Sequence, residues 1–261
     1  MMNVMANFSD TSNPKLTVMI GKPSVDDAIL VVKRSIEQGA EAFCILAQGF
    51  KPEDKNRENI KRIIDATDGR DVYITNYIRD NSQPELTDDY LAEQLLDMAR
   101  SGATLIDVRT DMFCRSVDEV TRDFYAIQKQ KEFISEIHKL GAEVLMSTHI
   151  FEYKSPENIL EIAKLQQMRG ADIAKVVTVT NSDKEAEDAF RTNFLLKEKL
   201  NIPFLLLCNG SCCRKHRLLG PVLGSCMYLC LENSNTCGPQ PTIEEAKIMR
   251  EKIQIFEGKH E

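Results

Sequence analysis

The sequence repeats one unit eight times, a short apolar stretch followed by a longer amphipathic one. Continuous apolar runs indicate buried strands, and apolar residues spaced three to four apart indicate helices. The predicted strands cover residues 16–20, 42–46, 72–76, 104–109, 143–148, 173–178, 203–208 and 225–231, and the predicted helices cover residues 24–38, 52–66, 87–101, 116–140, 155–169, 182–200, 214–222 and 242–256. This alternation, with no break in composition across 261 residues, predicts an α/β fold of the (β/α)8 TIM-barrel class. We expect one catalytic barrel domain over residues 15–257, preceded by a polar N-terminal tail of residues 1–14.

Composition and motifs narrow the classes of partner. The formal net charge is −7 and the sequence pI is near 5.3, which argues against a nucleic-acid-binding surface. The sequence contains neither G-x-G-x-x-G after the first strand nor a Walker motif, so nucleotide-binding sheets are disfavoured. We found no secretory signal and no apolar run long enough for a membrane helix. The expectation is a cytoplasmic protein that binds a small molecule and neither nucleic acid nor a membrane.

Two ionisable residues lie on neighbouring predicted strands. Lys175 stands inside the apolar sixth strand, and His149 follows the fifth. An ammonium is costly to bury, and a buried lysine amine is a typical nucleophile towards carbonyl groups. A histidine at the end of the next strand could move protons beside it. The alternatives are a lysine whose stem packs while its amine reaches solvent, and a structural histidine.

These residues carry a resemblance to a known family. The segments around His149 and Lys175 resemble the type I 3-dehydroquinate dehydratase family in the residues Met146, Ser147, Thr148, His149, Phe151, Lys154, Pro156, Glu157, Leu165, Met168, Ala171, Asp172 and Lys175. The resemblance implies a (β/α)8 barrel in which Lys175 forms a Schiff base with a ketone and His149 is the general acid and base. It also implies conversion of 3-dehydroquinate to 3-dehydroshikimate plus water without a metal or organic cofactor, and possible dimerisation through barrel helices.

The resemblance extends to the C-terminal third of the chain. By that match Arg217 binds the carboxylate of the substrate, a role for which a guanidinium offers a planar pair of donors. Without the match, Arg217 would read equally well as an arginine on a helix surface. Thr236 and Gln240 fall where the family places residues of a loop over the substrate.

The sequence departs from the family pattern at three places. Ala47 and Gly49 stand where the family has a glutamate and an arginine that contact ring hydroxyls, and Arg109 stands where it has a glutamate that pairs with the catalytic histidine. On the third strand, the family's arginine is matched only by Arg79, displaced by two positions. We expect Arg109 to lower the basicity of His149 and to join Arg217 in binding substrate.

Three functions therefore remain open. They are dehydration of 3-dehydroquinate, an imine-forming lyase reaction on a different carboxylate-bearing keto substrate, and a catalytically silent relative that binds a ligand. An aldolase on the same barrel would also use a lysine on the sixth strand, but it lacks the match around His149.

Six of the eight cysteines lie between residues 208 and 237. Three explanations of this cluster are open: buried thiols, reactive thiols, and a bound zinc ion or iron–sulfur cluster. Metal binding is disfavoured because the cysteine spacing is not C-x2-C.

Overall fold

The structure is a computed structural model that describes residues 8, 10–77, 87–233 and 239–256. Its eight parallel strands confirm the predicted fold class. The strands are β1 (Lys15–Ile20), β2 (Ala42–Leu46), β3 (Asp71–Thr75), β4 (Leu105–Arg109), β5 (Glu143–His149), β6 (Ile173–Val179), β7 (Phe204–Asn209) and β8 (Met227–Cys230). They are ordered β7-β6-β5-β4-β3-β2-β1-β8, and a parallel bridge between Phe204 and Ser225 joins the two ends into a nearly closed barrel.

A helix follows each strand and packs on the outside of the barrel. The helices are α1 (Val25–Glu37), α2 (Arg57–Asp65), α3 (Asp88–Arg100), α4 (Phe124–Lys139), α5 (Pro156–Met168), α6 (Asp183–Lys199), α7 (Arg214–Leu219) and α8 (Ile243–Phe256). Side chains of Ser24, Asn56, Thr87, Asp123, Ser155 and Ser182 accept hydrogen bonds from backbone N–H groups of the first turns of α1 to α6. These caps are the signals from which the sequence places helix starts. No helix among the described residues is both long and apolar enough to cross a membrane.

The core has an inner and an outer part, as alternating strand residues dictate. The larger cluster lies between the strands and the helices, and a smaller one, which includes Tyr73, Leu145 and Leu205, fills the barrel. Phe8 is fully buried in this inner cluster, although it lies within the predicted polar tail. Because it packs on the barrel interior, at least this residue of the segment contributes to the core.

The predicted start of α4 is wrong by eight residues. The helix begins at Phe124, after the cap residue Asp123, instead of at residue 116. Residues 116–123 form a loop in which Glu119 adopts a positive φ of 52°, a conformation incompatible with an α-helix. This loop lies at the mouth of the barrel and supplies a side chain to the site.

Candidate active site

A cavity of about 580 Å³ opens at the carboxyl ends of the strands. Active sites of barrel enzymes are built at this end. Lys175, His149, Arg109, Arg217 and Gln240 all line the cavity, so the structure brings these five predicted site residues together. Thr236, the sixth, lies outside the described residues, as does Arg79.

Lys175 is buried in the floor of the cavity, with only 4% of its surface exposed. The pairing of β5 with β6 sets Ser147 opposite Lys175 and His149 opposite Val177, so the lysine lies one layer deeper than the histidine. Its Nζ donates to Tyr73 Oη at 3.0 Å, to Tyr77 Oη at 3.2 Å and to Asp107 Oδ2 at 3.1 Å. The amine is therefore shielded from bulk water and held in one orientation.

The carboxylate of Asp107 compensates the buried positive charge of Lys175. It lies inside β4 with 1% exposure and also accepts hydrogen bonds from the hydroxyls of Tyr73, Tyr77 and Ser147. Burial alone would raise the pKa of Asp107, but the Lys175 ammonium, the nearby His149 and these donors outweigh it, and the pKa lies below its ordinary range. Asp107 and Lys175 thus form a buried ion pair surrounded by hydroxyl groups.

The hydroxyls of Tyr73 and Tyr77 stay protonated. Burial, followed by the negative charge of Asp107, raises the pKa of both phenols well above the ordinary value. The Tyr77 ring also packs edge-on against the His149 ring, with 5.2 Å between the ring centroids. Tyr77 therefore contacts both residues for which catalytic roles were predicted.

The carboxylate of Glu119 orients the imidazole of His149. Glu119 Oε2 lies 3.1 Å from His149 Nδ1 and 2.8 Å from the His149 backbone nitrogen, which donates to it. A carboxylate at Nδ1 favours the tautomer with the proton on that nitrogen and leaves Nε2 as the basic one. The expectation that His149 lacks such a partner is wrong, because the glutamate comes from the loop before α4 instead of from β4.

Opposing effects act on the pKa of His149. Burial lowers it, the hydrogen bond to Glu119 raises it and the charge of Lys175 lowers it, with a net shift below the ordinary value. The pKa of Glu119 is also lowered, since the contact with His149 and the charge of Arg109 outweigh the effect of burial. His149 is consequently mostly neutral near pH 7, the state of a general base.

Arg109 ends β4 and contacts two carboxylates. Its guanidinium donates to Asp111 at 3.0 and 2.9 Å and lies 3.6 Å from Glu119 Oε1. Asp111 in turn accepts from the backbone nitrogen of Ser116 at 3.1 Å, which fixes the start of the loop. Arg109 therefore positions Glu119, and through it His149, while its side chain also lines the cavity.

Arg217 is buried and differs from the other cations of the cavity in its partners. Its Nε donates to the carbonyl of Cys208 at 2.6 Å and its Nη2 to Asn209 Oδ1 at 2.8 Å, both neutral acceptors. Nη1 is buried and has no hydrogen-bond partner among the described residues. Burial lowers the pKa of Arg217 to about 10, so the group is charged near pH 7. A buried donor of this kind is suited to a carboxylate ligand.

Among the described cysteines, Cys44 lines the cavity, whereas those between residues 208 and 230 do not. Cys208, Cys226 and Cys230 are fully buried, and burial raises the pKa of Cys208 and Cys226 to about 12, which leaves inert thiols at these positions. Within the described part of the chain, no three His, Cys, Asp or Glu side chains are close enough to share a metal ion. Cys237 lies outside that part.

Sequence reasoning missed the roles of Asp107, Glu119, Tyr73 and Tyr77. For Asp107 a signal was present, because an acid inside one apolar strand and a lysine inside another are both tolerated only if they pair. For Glu119 no local signal pointed to the site.

Comparison with known proteins identifies the family of this chain. A model of the type I 3-dehydroquinase family matches residues 17–257. A curated 3-dehydroquinate dehydratase of Lactiplantibacillus plantarum (strain ATCC BAA-793 / NCIMB 8826 / WCFS1) is 24% identical over 130 residues, or 49% of this chain and 51% of that protein. The chain thus matches about half the length of this curated relative.

Solved structures show the same fold. The 3-dehydroquinate dehydratase of Geobacillus kaustophilus HTA426 superposes with a TM-score of 0.79 at 15% identity, over 93% of this chain and 92% of that one. The type I enzyme of Clostridium difficile, described with covalently modified comenic acid, gives 0.79 at 18% identity over 94% of both chains. Since the family model spans nearly the whole barrel, the chain belongs to the type I 3-dehydroquinase family.

Proposed function

We propose that this protein is a hydro-lyase that binds a carboxylate-bearing keto substrate as an imine on Lys175 and eliminates water from it with His149. The observation that carries the proposal is the buried amine of Lys175 at the floor of a cavity that His149 also lines. Conversion of 3-dehydroquinate to 3-dehydroshikimate plus water is the reference reaction, because relatives bear the name of that activity.

Arg217 would hold the substrate carboxylate. Its buried Nη1 lacks a partner among the described residues, and its other two nitrogens are fixed by Cys208 and Asn209. A rigid guanidinium loses little freedom on binding and places the carboxylate at one point of the cavity. The ketone is then directed towards the floor.

Imine formation would use the amine of Lys175 after its ammonium proton passes to His149, and that proton later leaves with the departing water. The nitrogen attacks the carbonyl carbon, a C–N bond forms, and the carbonyl oxygen leaves as water. Tyr77 Oη lies 3.2 Å from Nζ, and its ring packs against His149, so it is placed to pass the proton released from the nitrogen. Asp107, 3.1 Å from Nζ, would stabilise the cationic iminium that results.

The elimination would be carried out by His149. Its Nε2 removes a proton from the carbon next to the iminium, and the electron pair moves to nitrogen to give an enamine. The protonated imidazole then gives its proton to the hydroxyl on the following carbon, which leaves as water. Glu119 stabilises that imidazolium, and hydrolysis of the product imine restores Lys175.

The description of one relative includes a covalently modified ligand. The Clostridium difficile enzyme is described with covalently modified comenic acid, a ring compound with both a carbonyl group and a carboxylate. Our proposal assigns the same two groups to Lys175 and Arg217, which line one cavity in this chain.

Two variants separate the steps. With 3-dehydroquinate and a panel of other keto acids, we expect the ultraviolet absorbance of a conjugated product with the wild type and none with Lys175→Met or His149→Gln. His149→Gln should still form a borohydride-reducible adduct, whereas Lys175→Met should not. The exposed Lys61→Met is the matched control and should behave as wild type. Turnover that survives Lys175→Met would refute the proposal.

A further inference from the structure

The wall of the cavity consists of two unlike arcs. The arc from β3 to β5 carries Tyr73, Tyr77, Arg109 and His149. The arc from β6 through β7, β8 and β1 to β2 carries the apolar set Val177, Leu207, Leu229, Met19 and Leu46, and its polar lining residues are Lys175, Asn209, Arg217 and Gln240. Each member of the apolar set occupies an inward position near the carboxyl end of its strand. One side of the bound molecule therefore faces hydrocarbon.

The apolar surface continues to the mouth of the cavity. Val117, on the loop before α4, is fully exposed, and Phe151, just after β5, is 83% exposed. Both line the cavity. An exposed apolar surface that is continuous with a cleft is typical of ligand-binding sites, whereas single exposed apolar side chains are common on protein surfaces. Their position extends the apolar contact outward from the reacting atoms.

The polar groups of the cavity largely satisfy one another. Lys175 pairs with Asp107, and Arg109 pairs with Asp111 and Glu119. The hydroxyl of Thr75, which also lines the cavity, donates to Gln48 Oε1 at 3.0 Å. Among the described buried groups, Arg217 Nη1 is the one at this cavity that still lacks a partner.

A heavily hydroxylated ligand fits such a cavity poorly. A hydroxyl placed against Leu207 or Leu229 gives up its hydrogen bonds to water without gaining new ones, which costs about tenfold in binding for each group. A ring or chain of hydrocarbon in the same place is favoured by burial.

We infer that the substrate is a β-hydroxy keto acid whose skeleton beyond the carboxylate, the ketone and the departing hydroxyl is hydrocarbon. This inference rests on the proposed function and narrows its substrate class. The carboxylate binds Arg217, the ketone reacts with Lys175, and the hydrocarbon part lies on the apolar arc.

A matched pair of ketones tests the inference. The compound 1-hydroxy-3-oxocyclohexane-1-carboxylate has the ring, the ketone, the carboxylate and the departing hydroxyl of 3-dehydroquinate but lacks its other two ring hydroxyls. Each compound is titrated against the protein with borohydride present. The adduct on Lys175 is quantified by peptide mass spectrometry. The amounts are corrected for the reactivity of each ketone with a lysine model compound. We expect half-maximal capture of the ketone that lacks these two hydroxyls at a concentration at least about tenfold lower than for 3-dehydroquinate.

Variants of the wall provide the structural check. Leu229→Asn keeps the size of the side chain but offers an amide to hydroxyl groups, so the preference should move at least about fivefold towards 3-dehydroquinate. Met19→Gln on the neighbouring strand is the second variant if the first does not fold. Leu30→Asn, at a half-exposed position on α1, should leave the preference unchanged.

The outcomes separate this inference from the proposed function. If the wild type captures 3-dehydroquinate equally well or more tightly, the inference is overturned but the imine chemistry is not. The same conclusion follows if the wall variants do not change the preference between the two ketones. No adduct with either ketone, nor with pyruvate as a small test compound, would overturn the proposed function and the inference together.

Discussion

Replacement of Asp107 by asparagine should destabilise the protein strongly. The carboxylate is 1% exposed and is the ion-pair partner of Lys175, 3.1 Å from its nitrogen. Asparagine has the same shape, and its oxygen can still accept from the two tyrosines, while its amide faces Ser147, which can accept. The change therefore removes mainly the negative charge from a buried ammonium.

The expected loss follows from that geometry. Removal of one partner of a buried ion pair costs about 3–5 kcal/mol, because the other charge is left uncompensated. The two tyrosine hydroxyls remain as acceptors for Lys175, so the lower half of that range, about 3–4 kcal/mol, is expected. For a domain stable by about 5–15 kcal/mol this is a large fraction of the free energy of unfolding.

Urea unfolding followed by circular dichroism measures the effect. The midpoint should fall with little change in the m-value. The double variant Lys175→Met with Asp107→Asn should be more stable than Asp107→Asn alone, because no unpaired charge remains. Asp65→Asn, which removes the exposed partner of Lys61, is the control and should cost less than about 1 kcal/mol. A loss below about 1 kcal/mol for Asp107→Asn, or no rescue by the double variant, would refute this reasoning.

Three further predictions concern pH and binding. The pKa of Asp107 in the folded protein is lowered from 3.8, so its contribution to stability is present above about pH 4 and is lost as the pH falls through the folded-state value. The difference in unfolding midpoint between wild type and Asp107→Asn should therefore narrow below about pH 4. A difference that stays constant with pH would contradict this prediction. Glu119→Gln removes a group that raises the pKa of His149, so an NMR titration should show that pKa lower still, and an unchanged or higher value would count against the orienting contact. Arg217→Gln should raise the concentration of keto acid needed for half-maximal capture by about 10- to 100-fold. Arg57→Gln, at an exposed position at the start of α2, should have no effect, and equal effects of the two variants would exclude a specific carboxylate site.

The fold could be predicted because its signals are local and repeated. Each strand is an apolar run and most helices begin at a side-chain cap, so eight units could be counted without any knowledge of contacts. The resemblance around His149 and Lys175 pointed to the same architecture. Physical pattern and family likeness therefore agreed on the barrel.

The start of α4 could not be predicted for a specific reason. Ser116 and Glu119 have the Ser-x-x-Glu spacing of a capping box, which ordinarily marks the first turn of a helix. In the structure Ser116 Oγ accepts from Val120 instead, and the Glu119 carboxylate contacts His149, on a strand 30 residues away in sequence. A tertiary contact thus overrides a local signal.

The electrostatics of the site depended on the same contact. From the sequence, Arg109 in place of a glutamate indicated a histidine with no carboxylate partner. The structure supplies that carboxylate from the loop and uses Arg109 to hold it, 3.6 Å from Glu119 Oε1. The carboxylate that contacts His149 lies on the loop before α4 instead of on β4, and no local sequence pattern indicates this change. The contact is therefore seen only in the folded structure.

The mass of Lys175 after reaction is the most direct test of the central claim. The wild-type protein is mixed with a keto acid and borohydride, digested, and its peptides are weighed. We predict that the peptide containing Lys175 gains the mass of the reduced adduct and that His149→Gln retains this gain. Adducts spread over surface lysines while the Lys175 peptide stays unmodified would contradict the claim that this amine is the nucleophile of the site.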